Sequence, residues 1–402
     1  MPVASAEDIW DAIVVGAGPA GCAAAYDLAA AGRRVLLVDR AEFPRAKACA
    51  GGLTMKAVKA LRYPIDPVVR RWVRSIALEE SSTHAVTVGR KVAVCAMTVR
   101  EELDSFCLGK TIARGAAFRR IAALFAIEHN EDHGIEHVTL RLGNGGTLRA
   151  RFVLGADGVH SRVRALTTDG SWFRTGFALE ANVPYTQPGD GYELTFDFAS
   201  VARGYGWLFP RDNHVNVGLY IESAEAAKLD RGALDRYIAA RCGPARVYSR
   251  PVGQFLGLGA VGYRPASGTR VLLAGDAAGF VDPLTGEGIY GAIRSGQAAA
   301  AAMHAALGGG RKFRHSHVQG HKTTVTPGTP LANGFVAGTE ALRRDLGVAE
   351  HAAARFYANP HRGFQLLRLP LMARGVLRAY SDGLPLAYLL RGVRVAGRFA
   401  SH

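Results

Sequence analysis

Residues 47–53 of this 402-residue chain read KACAGGL, which sets one thiol, Cys49, between Lys47 and the adjacent glycines Gly51 and Gly52. A cysteine of ordinary acidity, with a pKa of about 8.5, is mostly protonated at neutral pH and can give up a proton. It can equally fill a small core position. A second group of residues has the spacing that cradles phosphate: Gly16, Gly18 and Gly21 in GAGPAG. The first permits a tight turn, the second lets backbone approach a pyrophosphate, and the third lets a helix pack on a strand. Asp39, 23 residues after Gly16, stands where a carboxylate accepts from ribose hydroxyls.

The elements that must carry these residues are legible around them. Residues 11–39, DAIVVGAGPAGCAAAYDLAAAGRRVLLVD, read as apolar strand, glycine turn, alanine-rich helix, stop at Gly32, and a second apolar strand. That is a βαβ unit, whose helix N-terminus turns amide donors and a positive dipole toward phosphate. Residues 71–100 alternate in short β-like runs, and EELDSFCLGKTIARG, beginning beside Arg100, reads as a helix. Residues 116–155 read as three strands with turns at NEDHG and GNGG, the last running into VLGADG with Asp157 at its end. The alternating YELTFDFAS and the hairpin pattern GYGWLFP, RDNH, VNVGLY predict a second, mostly antiparallel sheet. RVLLAGD at 270–276 is another buried strand, and a loop then passes into a helix.

Three motifs choose between dinucleotides: GAGPAG at 16–21, GADG at 155–158 and AGDAAGFVDPLTGEG at 274–288. A domain for NAD alone needs only the first. An aspartate at a strand end followed by a glycine-bounded helix start suits a ribitol chain and a flavin ring, with Asp276 accepting from a ribitol hydroxyl. The helix beginning around Gly286, Gly288 and Ile289 would aim amides at the N1/O2 edge, where they favour the anionic reduced ring. The cofactor predicted is FAD.

Over roughly residues 10–300 the chain resembles FAD-dependent oxidoreductases of the aromatic-hydroxylase type. Within them, KACAGGLTMKAVKAL resembles the loop of the geranylgeranyl reductase family, which carries K-x-C-x-G beside the flavin. ARGYGWLFP at 202–210 is similar to that family's P-x-x-Y-x-W-x-F-P, with Tyr205, Trp207, Phe209 and Pro210 matching and Ala202 in place of the first proline. The resemblance implies that Lys47, Ala50 and Gly51 lie beside the flavin and that Arg100 faces the FAD phosphates, with Arg40 and Arg45 reaching the cofactor. Asp157 reads either as a cofactor contact or as a turn residue. His160, Ser161 and Arg164 read as local structure.

The function implied is saturation of C=C bonds in a geranylgeranyl or other polyprenyl chain. An isolated prenyl double bond has no carbonyl to polarise it, so a hydride from flavin N5 must be matched by a proton at the other carbon. Cys49 is the first candidate donor and Tyr205, with an ordinary pKa of about 10, the second. Tyr205, Trp207 and Phe209 alternate on one strand and share a face, as pocket wall or as sheet core. The alternatives are a flavin monooxygenase or halogenase on the same fold, and a non-catalytic prenyl-binding protein similar to GDP dissociation inhibitors. No separate nicotinamide domain is visible, so the external reductant, NADPH or ferredoxin, is open, as is the oligomeric state.

The fold expected is α/β, α+β overall: a Rossmann-like FAD-binding domain from 8–62, 92–167 and 255–330, an antiparallel-sheet substrate domain from 63–91 and 168–254, and a helical C-terminal region at 331–402. Hydrophobic residues are 49% of the chain and charged residues 21%, enough for buried cores. The formal charge of +15 points to an anionic partner or a solvated basic surface; nucleic acid is not expected. From Glu340 onward ten Arg and four acidic residues interleave with Leu, Phe and Tyr, which suits either an anionic membrane surface or a helical cap over the substrate domain. The five cysteines are scattered, with neither disulfide nor zinc spacing, and fit a reducing cytoplasm. Neither a secretory leader nor a membrane span is predicted. Segment 308–330 reads as an irregular connection whose His315, His317 and His321 are solvent-exposed rather than metal-bound, and no metal site is expected.

Overall fold

The computed structural model describes residues 9–384, apart from 82–83, 133, 187–190, 223–228, 245–246 and 309–329. His315, His317, His321, the connection they lie in and the tail beyond residue 384 therefore fall outside the described residues.

The first sheet is built on the strand Ile9–Val15, which pairs in parallel with Val35–Asp39 on one side and Thr147–Gly155 on the other. Ala117–Arg120 extends it beyond Val35–Asp39. The long strand Thr147–Gly155 carries two neighbours on its far edge: antiparallel Ile135–Leu142 along its first half and parallel Val271–Leu273 along its last residues. Buried runs such as Val35–Val38 are continuous rather than alternating, as in parallel strands covered on both faces. Helices Pro19–Ala30 and Ile289–Ala306 cross in close contact, because a Cβ on Gly296 would lie 2.2 Å from the Ala20 carbonyl oxygen. Alanine-rich faces make that approach possible.

The second sheet runs in the order Val252–Leu258, Arg174–Pro184, His214–Ile221, Gly204–Pro210, Leu194–Asp197, Ser75–Ser81, His84–Gly89, antiparallel except where Leu194–Asp197 meets Ser75–Ser81. A small sheet of Gly52–Thr54, Cys95–Thr98 and Val69–Val73 lies between the two. Helices Leu331–Ala358, Pro360–Leu367 and Pro370–Asp382 follow, and Pro360 and Pro370 open helices, where a missing N–H costs nothing.

Some expectations shift. Residues 116–155 form four strands rather than three, because Ala117–Arg120 and Leu124–Asp132 part at Ile121–Ala123 and join opposite ends of the sheet. No Gly or Pro marks that break. Val252–Leu258 adds to the second sheet past the expected boundary at 254, and Val69–Val73 pairs with a strand assigned to the cofactor domain. Strand partners are chosen by non-local pairing, which composition does not report.

Candidate active site

The glycine loop folds as its spacing requires. Gly16 has φ +104°, and a Cβ on it would stand 2.3 Å from the Ala156 oxygen. Gly18 caps the helix Pro19–Ala30, and the nearest atom to a Cβ there is an Arg45 nitrogen at 3.7 Å, so its surface faces open space. Gly21 is closed against backbone: its Cβ would lie 1.8 Å from the Gly16 oxygen. Asp39 accepts from the Ala17 amide at 2.7 Å and the Ala41 amide at 2.8 Å, which ties the second strand to the loop. A carboxylate has about four acceptor positions, so ribose contacts are still open to it.

One cavity of 1050 Å³ passes from this loop to the second sheet. Every residue expected at the site lines it except Gly21, which supports the loop from behind. Arg40 is exposed at the cavity's rim, while Arg45 pairs with Asp104 at 3.0 Å. Arg100 is buried and forks onto the same Asp104, with Nε at 2.9 Å and Nη2 at 2.8 Å. Burial opposes its charge, but Asp104 and the Cys49 thiol beside it more than compensate, so its pKa is raised. Asp157 acts within its own turn, accepting from the Ser161 hydroxyl at 2.5 Å and the Arg162 amide at 2.7 Å. Asp276 accepts weakly from the Gly257 amide at 3.4 Å.

The cysteine loop has no regular structure, and side chains from other elements hold its backbone. Glu180 Oε1 accepts from the Cys49 amide at 2.8 Å. Arg211 donates to the carbonyls of Ala50 at 3.0 Å, Cys49 at 3.3 Å and Thr98 at 2.9 Å. The Gly51 carbonyl takes both the Thr98 amide and hydroxyl at 2.9 Å, and the Gly51 amide faces Cys49 Sγ at 3.4 Å. Gly51 has φ +72° and leaves no room for a Cβ, which would meet the Thr98 oxygen at 2.1 Å. Lys47 reaches Gln254 at 3.2 Å, and burial together with Arg100 lowers its pKa.

Arg211 is itself positioned by Asn182 at 3.2 Å and by His214 Nε2 at 2.7 Å. Burial and Arg211 push the His214 pKa down to about 4, so its ring is a neutral acceptor at physiological pH. The same network reaches the aromatic wall: Asn216 donates to Asn182 at 2.9 Å and accepts from Trp207 Nε1 at 2.7 Å. Tyr205, Trp207 and Phe209 are buried on one face, their successive ring centroids 6.1 and 6.3 Å apart. Gly218 makes room for the indole, since a Cβ there would lie 2.2 Å from it.

The Tyr205 hydroxyl donates to the Thr285 carbonyl, and burial raises its pKa, with Asp282 and Cys49 adding to the shift. Two further tyrosines grip the same loop: Tyr220 donates to the Pro283 carbonyl at 3.1 Å and Tyr357 to the Leu284 carbonyl at 2.7 Å. Asp282 accepts from the amides of Leu284 and Thr285, and the helix then starts at Ile289 with Gly288 as its cap. The glycine cradle, the loop at 282–288, the helix start and the cysteine loop all line one cavity, so these residues fit a dinucleotide. Among the described residues no His, Cys, Asp and Glu cluster could hold a metal ion.

Glu180, Arg211 and the Tyr220–Tyr357 grip were not found from sequence. Signals existed for two of them: Arg211 directly follows GYGWLFP, and Glu180 is an acid inside the apolar run FALEANV. Burial raises the Glu180 pKa from 4.5 to about 6, against the Cys49 amide and Arg211, which favour the carboxylate. A carboxyl raised in the folded state loses stability as pH rises through that interval, so the cost is absent below the unfolded value and complete above the folded one. Glu180→Gln keeps the acceptor for Cys49 and removes the charge. It should unfold at higher urea than wild type at pH 8, by roughly 1–2 kcal/mol, with no gain near pH 4. Equal stability of the two proteins at pH 8 would count against a strained carboxylate.

Residues 10–168 match the family described as FAD binding domain. The chain is 31% identical to menaquinone reductase from Mycobacterium tuberculosis over 74% of this chain and 77% of that protein. It is likewise 31% identical to the chloroplastic geranylgeranyl diphosphate reductase of Arabidopsis thaliana, over 75% of this chain and 67% of that one. A geranylgeranyl bacteriochlorophyll reductase-like protein from Thermoplasma acidophilum superposes with TM-score 0.68 at 20% identity, covering 86% of this chain and 88% of its own. A flavin-dependent brominase superposes with TM-score 0.71 at 16% identity, covering 97% and 99%; at such identities the likeness is one of fold. Motifs, cradle and relatives agree: the chain belongs to the geranylgeranyl reductase family of FAD-dependent oxidoreductases.

Proposed function

We propose that the protein reduces carbon–carbon double bonds of a geranylgeranyl or other polyprenyl chain. The observation that carries this reading is a half-buried thiol, Cys49, fixed in one cavity with an aromatic wall and a flavin-type loop. When bound and reduced by an external donor, FAD would supply the hydride. Gly16, Gly18, Asp39, Arg40 and Arg45 would hold its adenosine diphosphate end, and Asp276, Gly286, Gly288 and Ile289 the flavin end, with Lys47, Ala50 and Gly51 alongside. Arg100, already forked onto Asp104, would present positive charge to the cofactor and keeps it against the thiol.

The chain's own chemical task is the proton. Cys49 donates it to the alkene carbon, and the negative charge left on sulfur is met by the Arg100 guanidinium and the Gly51 amide. Glu180 and Arg211 hold the loop while the thiol changes charge. Tyr205, with its hydroxyl committed to Thr285, serves with Trp207 and Phe209 as wall, which excludes water and packs against isoprene units. Asp157 is a structural member of the cradle, organising the turn that faces the cofactor.

Pre-reduced protein incubated anaerobically with geranylgeranyl diphosphate should yield products heavier by pairs of hydrogens. Products formed only with oxygen, heavier by one oxygen atom, would instead support the monooxygenase alternative. Cys49→Ala should bind FAD normally and slow reduction at least 100-fold, the lower range of general-acid contributions. Wild-type rates in that variant would leave the thiol a packing residue. NADPH and ferredoxin are to be compared as reductants in the same assay.

A further inference from the structure

The turn between the last two described helices exposes apolar surface that the fold does not use. Leu366, Leu369 and Leu371 are 40%, 53% and 82% exposed within six residues, whereas Phe364 and Leu367 beside them are buried. Along Pro370–Asp382 the exposed positions Leu371, Arg374 and Arg378 fall three and four apart, on one stripe. Arg362, Arg368, Arg374 and Arg378 are all exposed, and no Asp or Glu occurs from residue 360 to 381. The opposite stripe of the same helix belongs to the site: Ala373 and Leu377 pack with Tyr205, Trp207 and Phe209, and Tyr380 lines the cavity.

We propose that this leucine knuckle with its arginines docks the protein on an anionic bilayer leaflet, leucines in the acyl boundary and guanidinium groups at the headgroups. Apolar residues flanked by arginines match such a surface, the nearest carboxylate being Glu80, 3.9 Å from Arg368, and neither half alone holds a peripheral protein firmly. A second copy of the chain is the poorer occupant, because a two-fold contact would bring these arginines against one another. Among the described residues no helix is long and apolar enough to cross a membrane. One helix would then touch lipid with one stripe and wall the cavity with the other. That placement explains delivery of a membrane-soluble chain, and only this last consequence rests on the prenyl-reductase reading.

The test is sedimentation of the FAD-loaded full chain with phosphatidylcholine vesicles, with and without phosphatidylglycerol. Binding is expected with the anionic vesicles and should weaken as salt rises. Leu369→Glu/Leu371→Glu should weaken it at least tenfold, and Arg374→Gln/Arg378→Gln should weaken it and flatten its salt dependence, with unfolding midpoints unchanged. Wild-type protein that ignores anionic vesicles, or a double glutamate variant that binds as wild type, overturns the proposal. So does a wild-type dimer, seen by light scattering, that the glutamate variant abolishes. Reduction of a detergent-dispersed prenyl substrate, measured in parallel, should be equal in all these proteins; its absence throughout would fail the functional reading and leave the docking result standing.

Discussion

Arg211→Met is expected to destabilise the protein by about 3–5 kcal/mol, the range for removing one partner from a buried charged network. The side chain is 3% exposed and supplies the donors for three backbone carbonyls on two separate segments, Cys49–Ala50 and Thr98. Methionine keeps an unbranched stem without a donor, so those carbonyls lose the Arg211 bonds, the Asn182 side-chain oxygen keeps only Asn216, and Glu180 loses the Arg211 charge. Burial lowers the Arg211 pKa against the attraction of Glu180, so this charge is held inside the fold at a cost. Urea titration at neutral pH measures the loss. Native-state alkylation of Cys49, the one cysteine of the five that is not buried, should accelerate as the loop is freed. A loss under about 1 kcal/mol with unchanged alkylation would mean that the loop is held by Thr98 and Glu180 alone.

Gly21→Ala should weaken FAD binding at least 100-fold, equivalent to about 2.7 kcal/mol. Its added carbon would stand 1.8 Å from the Gly16 oxygen, and backbone cannot yield as a flexible side chain does. Either the helix Pro19–Ala30 moves off the strand or the turn at Gly16, with φ +104°, is displaced. Both movements withdraw the amide cradle from the phosphates while leaving the cavity's other residues in place. Quenching of flavin fluorescence on titration reads the affinity directly; retention within fivefold of wild type would show that the third glycine is not needed for close packing. Glu180→Gln is the contrasting case, a buried change expected to stabilise, because it removes a charge and keeps an acceptor.

Local patterns carried much of the fold. GAGPAG fixed the turn because each glycine answers a short-range steric demand, and the apolar runs at 12–15, 35–38 and 271–273 announced buried parallel strands. YGWLF announced a shared aromatic face because side chains on a strand alternate with a period of two residues. The helix start at Ile289 followed from the glycines before it. What failed was pairing: Ala117–Arg120 and Leu124–Asp132 look like one run until the sheet separates them.

The sequence by itself determined the glycine cradle, the family and the presence of a thiol between Lys47 and two glycines, since these depend on residue type and spacing within a few turns of chain. Tertiary structure alone decided what holds that thiol. Glu180 meets Cys49 across 131 residues and Arg211 meets Ala50 across 161, contacts that exist only because the second sheet closes over the cysteine loop. The same closure buries Glu180 and assigns the Tyr205 hydroxyl to a carbonyl of the loop at 282–288. Burial and partner identity are properties of the packed sheets, and they turn KACAGGL from a suggestive string into a loop whose amide, carbonyls and sulfur each have a defined neighbour.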